Sequence, residues 1–207
     1  RGLALLGIHT VRVDDDATVA DYERCAMLRF RNPDAATGHH DDLGDVEAEI
    51  DLAAWADRVP VGWDASPLAG ASVPGWNVGA RRTDGLRDTV TDAVALARLT
   101  LNQAPVHRDP ALGPDGRRLV YGGHTIGLAQ ASLTRMFPDT ATVLGWQACD
   151  HLAPVFEKDV LGFHHTLLDE QPAAGGRLRA IQVEADAQRG NDPPRPVLDW
   201  RVVTWGA

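Results

Sequence analysis

The 207-residue sequence predicts an α+β fold in which an antiparallel sheet wraps around one helix. Three observations carry that prediction. One helical pattern, behind Gly122-Gly123, sets Ile126, Ala129, Leu133, Met136 and Phe137 at spacings of three and four on one apolar face, and Pro138-Asp139 ends it. Strand-like runs then follow through Val143 to Cys149, Val160 to Leu168 and Leu178 to Val183, with a last strand ending at Trp205. Finally, Gly127, Ala131 and Ser132 keep the other faces of the helix narrow, so a curved sheet can close around it.

Along the chain, residues 2–30 read as a strand hairpin. An apolar run meets an acidic turn at Asp14-Asp15-Asp16, and the return strand opens with Val19-Ala20-Asp21-Tyr22. Gly176 to Trp205 repeats the plan: a strand through Ile181 and Val183, a turn at Arg189-Gly190-Asn191-Asp192, and a return opening with Val197-Leu198-Asp199-Trp200. The matching Val-x-Asp-aromatic openings point to one structural unit occurring twice. Between them, residues 33–85 are rich in Pro, Gly, Asp and Ala and read as a long connection with at most one helix, over about Val46 to Val59. Thr91 and Asp92 can cap a helix through Val94, Leu96, Ala97 and Leu101, which Pro105 stops.

Bulk properties narrow the function. A net charge of −9 disfavours a nucleic-acid partner, since phosphate binding needs a concentrated basic face. No apolar run is long enough to span a bilayer, and the opening residues lack signal-peptide order, so the expected setting is the cytoplasm and not a membrane. Cys25 and Cys149 stand far apart outside any CxxC spacing and read as buried small hydrophobes in a reducing compartment. His39-His40-Asp41-Asp42 reads as a solvated loop and not as a metal site, because adjacent side chains diverge on any regular element; no metal is expected. Arg1 is not a methionine and a strand begins at once, as if a longer chain had been entered midway.

The chemistry concentrates in two stretches. Asn102-Gln103-Ala104-Pro105-Val106-His107 sets an amide and an imidazole five residues apart, and Tyr121-Gly122-Gly123-His124 sets a glycine turn at a helix entrance. Free backbone N–H groups there can hold a developing negative charge, while His107 can exchange protons at neutral pH. From Thr89 to Ala207 these motifs resemble the MaoC-like (R)-specific enoyl-CoA hydratases and dehydratases. Asn102 to His107 is similar to the family's Asp-x-Asn-Pro-x-His, and Val120-Tyr121-Gly122-Gly123-His124 to its helix entrance. Cys149 to Leu161, with Pro154-Val155 and then Lys158-Asp159-Val160-Leu161, is similar to its Pro-Val strand and Gly-Asp-x-Leu turn.

That resemblance implies a hotdog fold of the double-hotdog type with an incomplete first unit. Residues 1–32 would be closing strands of a partial N-terminal unit, 33–85 the connection, and 86–207 the unit that carries the site. The implied reaction is hydration or dehydration of an enoyl-CoA or 3-hydroxyacyl-CoA thioester, with no cofactor beyond the coenzyme A of the substrate and with a homodimer as a further possibility. Water would add across the double bond with His107 as acid–base group and Gly123 N–H polarising the thioester carbonyl. Tyr121, Gly122, His124 and Asp150 would line the substrate. The departures are pointed: Asn102 stands where the family places its Asp, and Ala104 where it places Asn. Asn102 can orient water but cannot take a proton, so Asp109 or Asp150 are alternative sources of a carboxylate.

Two further readings follow. One is a mesaconyl-CoA-type hydratase for a branched dicarboxylic acyl-CoA, with His124 or Arg135 meeting the extra carboxylate. The other is an acyl-CoA-binding protein that has lost its base. A hotdog thioesterase is disfavoured, because no acidic residue lies between Thr125 and Met136.

Overall fold

The computed structural model describes residues 2–28, 31–32, 34–36, 38–42 and 49–207, with the side chains of Gly2, Leu3 and Met27 excepted. Two compact units result, Arg1–Asp45 and Val46–Ala207. The first holds an antiparallel hairpin of β1 (Gly2–Val11) and β2 (Thr18–Leu28). Arg12 pairs with Asp14 and Asp15 in the acidic turn, and Asp16 takes φ 55° there, a conformation that short polar side chains tolerate. Cys25 is exposed on this hairpin, so the expectation of a buried thiol fails for it.

In the second unit, β3 (Arg81–Thr83), β4 (Asp88–Thr89), α1 (Ala93–Leu99) and α2 (Gly122–Met136) precede β5 (Thr140–His151), β6 (Val160–Ala173), β7 (Gly176–Gln188) and β8 (Arg195–Gly206). The strands form one antiparallel sheet in the order β3-β6-β7-β8-β5, with β4 on the same edge of β6 as β3. The sheet packs around α2, whose Ala129 and Leu133 join Phe163, Ile181, Val183 and Trp200 in the main core. The helix face read from spacing is therefore the face that packs. Its predicted end at Pro138 also holds, since Phe137 N–H closes the last turn on Leu133 O at 2.8 Å.

The connection is more structured than its composition implies. Residues 46–48 of the expected helix lie outside the described residues, and Leu52–Arg58 forms a 3-10 helix that Asp51 caps through Ala53 N–H. A second 3-10 helix spans Ser66–Ala71. Leu52, Val59 and Ala65 pack on Leu178, Ala180, Val203 and Trp205, a second core on the other face of the sheet. The strands encode this cover. Their outward rows are polar at Gln182, Glu184, Asp199 and Arg201, and turn apolar at Leu178, Ala180, Val203 and Trp205, where the segment lies. Trp55 fills the space a side chain at Gly145 would need.

A buried polar network ties α2 to the sheet. Ser132 Oγ donates to Asp84 at 2.6 Å, Arg135 Nε donates to the same carboxylate at 2.9 Å, and His165 Nε2 lies 3.4 Å from Ser132 Oγ. Burial alone would raise the Asp84 pKa, but these bonds and one from Leu86 N–H outweigh it and leave the pKa lowered. His165 is fully buried, and burial pushes its pKa down to about 4. Its neutral form is thus favoured in the folded state, so its contribution is complete above the unfolded pKa near 6.5 and is lost as pH falls toward 4. Chemical denaturation at pH 7 and pH 5 should differ by about 2 kcal/mol from this group. His124 and His151, also lowered by burial, add in the same sense, and His165→Gln should flatten the slope.

Candidate active site at the entrance to α2

The site begins where α1 stops. Asn102 N–H bonds Ala97 O at 2.9 Å and Leu101 N–H bonds Arg98 O at 3.1 Å, the paired bonds of a Schellman cap, and Leu101 takes φ 55° at the position glycine usually fills. The helix thus ends at Leu99, two residues before the Leu101 expected from sequence, and Asp92 stands at its N-cap without a side-chain capping bond. Asn102 then turns the chain with its own side chain, its Oδ1 accepting from Ala104 N–H at 2.9 Å. Arg108 grips the Asn102 carbonyl at 2.7 and 3.1 Å, so the loop closes on itself before His107 is presented.

His107 sits in a short 3-10 turn, Pro105–His107, and is half-buried. Its Nδ1 lies 2.8 Å from Leu119 O. A carbonyl can only accept, so Nδ1 carries the hydrogen and Nε2 is left with a free lone pair. Leu119 is itself fixed, because its N–H donates to Val106 O at 3.2 Å and it bridges to Phe156. Val120 N–H to Val155 O at 2.9 Å continues this clamp to the glycine turn.

At that turn, Gly122 and Gly123 open α2 behind Tyr121, which gives no side-chain capping bond. Neither glycine N–H meets an acceptor outside the helix among the described residues. The glycines have a specific steric cause. A Cβ at Gly123 would lie 2.6 Å from the Tyr121 ring, and one at Gly122 would lie 2.6 Å from His151 Nε2. Their missing side chains therefore make room for two rings, not only for a ligand. The Tyr121 ring also lies 5.8 Å from that of His107, centroid to centroid. The Tyr121 phenol and the His151 imidazole thus line the first turn of α2, with the His107 ring beside Tyr121, where the N–H groups and the helix dipole favour negative charge.

The other expected residues fall differently. His124 is buried with an unpartnered Nδ1, and burial holds its pKa below the usual histidine value. Asp150 is exposed and, by strand alternation, faces away from its neighbour His151. His151, which was not among the expected site residues, is the residue that approaches the glycine turn. Asp109 is exposed and accepts from Ala111 N–H at 2.9 Å. Arg135 pairs with Asp84 and Asp88 near the C-terminal end of α2, about 18 Å along the helix from Gly123, and cannot serve a carboxylate at its entrance.

Lys158 holds the turn residue where the family motif has glycine, and it adopts φ 75°; Asp159 beside it accepts from Phe156 N–H and receives a bidentate pair from Arg189. Among the described residues, no cluster of three or more His, Cys, Asp or Glu side chains is arranged to hold a metal ion. No helix of the described residues is long and apolar enough to cross a membrane. Cys149 is partly buried, and burial raises its pKa to about 11, which makes it a poor nucleophile.

A sheet wrapped on a buried helix, with a histidine loop at the helix entrance, defines a hotdog-fold protein. In sequence and fold the chain is similar to MaoC-like hydratases and dehydratases, and to a protein with a double hotdog fold. The conserved hypothetical protein RV0216 from Mycobacterium tuberculosis, described as a double hotdog fold, is 37% identical with a TM-score of 0.77, covering 98% of this chain and 62% of that one. A MaoC domain protein dehydratase from Chloroflexus aurantiacus J-10-fl shares the fold at 21% identity and a TM-score of 0.75, covering 99% of this chain and 65% of its own.

Mesaconyl-CoA hydratase from Cereibacter sphaeroides is 30% identical over 111 residues, 54% of this chain and 32% of that protein. Beta-methylmalyl-CoA dehydratase from Chloroflexus aurantiacus is 28% identical over 222 residues, 93% of this chain and 61% of that protein. The chain thus spans less than two thirds of the length of each of these relatives. No family model matches it.

Proposed function

We propose that this chain carries the site of an acyl-CoA hydro-lyase, which adds water to an enoyl-CoA or removes it from a 3-hydroxyacyl-CoA. The observation that carries the reading is the held tautomer of His107: Leu119 O fixes Nδ1–H, and a basic Nε2 is left beside Tyr121 at the entrance to α2. Nε2 takes a proton from water as the oxygen bonds to the β-carbon. Gly123 N–H, with the helix dipole behind it, stabilises the enolate oxygen that forms only in the transition state. Tyr121 and Gly122 border the thioester, and Asn102 orients the water without exchanging a proton. Coenzyme A enters as part of the substrate, and the reading calls for no other cofactor.

A second reading concerns the acyl group. Both curated relatives are named for branched dicarboxylic acyl-CoA esters, which favours that class over straight-chain enoyl-CoA. His124 is the basic group left near the entrance to meet a second carboxylate. The test is to follow loss of the conjugated absorbance with straight-chain trans-2-enoyl-CoA esters and with mesaconyl-CoA. Turnover of either supports the hydro-lyase, and preference for mesaconyl-CoA supports the second reading. Tight binding without turnover that Asn102→Asp converts to turnover would instead make the chain an acyl-CoA-binding protein.

A further inference from the structure

Within the hydro-lyase reading, Asn102 leaves one proton unaccounted for. The reaction exchanges protons at two places, the β-oxygen and the α-carbon; of the expected imidazoles, His107 can serve one, while His124 is buried in the first turns of α2. The acidic candidates lie elsewhere: Asp109 is exposed and caps the following 3-10 turn through Ala111 N–H, and Asp150 is exposed and faces away from His151 by strand alternation. His151 is different. Its Nε2 is the ring atom nearest the position of a Gly122 Cβ, at 2.6 Å, so the imidazole edge rests on the first turn of α2, the turn that the Tyr121 ring also lines at Gly123. Neither of its ring nitrogens is engaged in a hydrogen bond among the described residues, whereas His107, His164 and His165 each have one.

We propose that His151 is the second acid–base catalyst, exchanging the α-proton of the acyl thioester while His107 serves the β-oxygen. In dehydration, neutral His151 Nε2 removes the α-proton, and the C–H electron pair forms an enolate held at the glycine N–H groups. The enolate re-forms the carbonyl as the double bond forms and the β-carbon–oxygen bond breaks, and the departing oxygen takes a proton from the His107 imidazolium and leaves as water. His151 then carries the α-proton while His107 is one proton short, and exchange with solvent, one proton released and one taken up, restores both. Hydration is the reverse. Desolvation lowers the His151 pKa against the opposing charge of Asp150, so its neutral form stands ready as a base at neutral pH.

The inference rests on the hydro-lyase reading, and one set of measurements separates the two. The full chain is incubated in D2O with a 3-hydroxyacyl-CoA that it turns over, and α-deuterium incorporation is read beside net dehydration. His151→Phe and His151→Gln should each lose about 100- to 10,000-fold in both, with KM changed little and the melting temperature retained. Asn102→Asp should restore much of the loss in either His151 variant by returning a carboxylate to the loop. His107→Gln should lose net dehydration but keep α-deuterium incorporation. Wild-type exchange and turnover in both His151 variants would overturn the role of His151 and leave the hydro-lyase standing. No exchange or turnover by the wild-type chain with any acyl-CoA would remove both.

Discussion

His107→Gln should slow the proposed hydration by about 100- to 10,000-fold, the range lost with a general acid–base group. Glutamine keeps a donor able to reach Leu119 O, which His107 Nδ1 meets at 2.8 Å, so the loop stays fixed. What disappears is the Nε2 lone pair that takes the proton. Stability should hardly move, because one half-buried hydrogen bond contributes about 1 kcal/mol and glutamine can remake it. A steady-state assay paired with a thermal melt checks both halves. A folded variant at wild-type rate would show that proton exchange happens elsewhere.

Arg179→Ala should produce the largest loss of stability in the second unit. Arg179 is 5% exposed and grips Asp139 through two bonds of 2.9 and 2.8 Å, Glu170 at 2.7 Å and Ala207 O at 3.1 Å. Removing the cation strands Asp139, itself only 2% exposed, at a cost of about 3–5 kcal/mol. For a unit of this size that lowers the melting temperature by roughly 10 °C. The cost comes from an unpaired buried charge and not from lost attraction, so replacing both partners with apolar residues, Arg179→Met with Asp139→Leu, should recover most of it. Equal melts for the single and double variants would contradict this account.

Much of the second unit was legible in the sequence because its signals are local. The α2 face from Ile126 to Phe137, its stop at Pro138, and the strands around Ile181 and Trp200 all follow from spacing and turn residues. The strands β3 and β4 were hidden, since segments of three and two residues hold no periodicity and exist only through pairing with β6. A helix over about Val46 to Val59 was expected, but the role of residues 52–65 as a cover was hidden, since only the distant Val203 and Trp205 explain their burial.

At the site, the loop from Asn102 to His107 and the paired glycines stood out by motif. His151 did not, because its approach to Gly122 depends on how β5 ends against α2. The tautomer of His107 was equally out of reach, since its partner Leu119 lies twelve positions away.

The second core changes what counts as a domain here. Trimming the polypeptide to begin at residue 86, the boundary that composition alone recommends, would strip the roof from Leu178, Val203 and Trp205 and present a greasy sheet to water. Such a product should clump and precipitate even with every residue of the catalytic loop intact, and any search for the minimal active piece must therefore start upstream of Leu52.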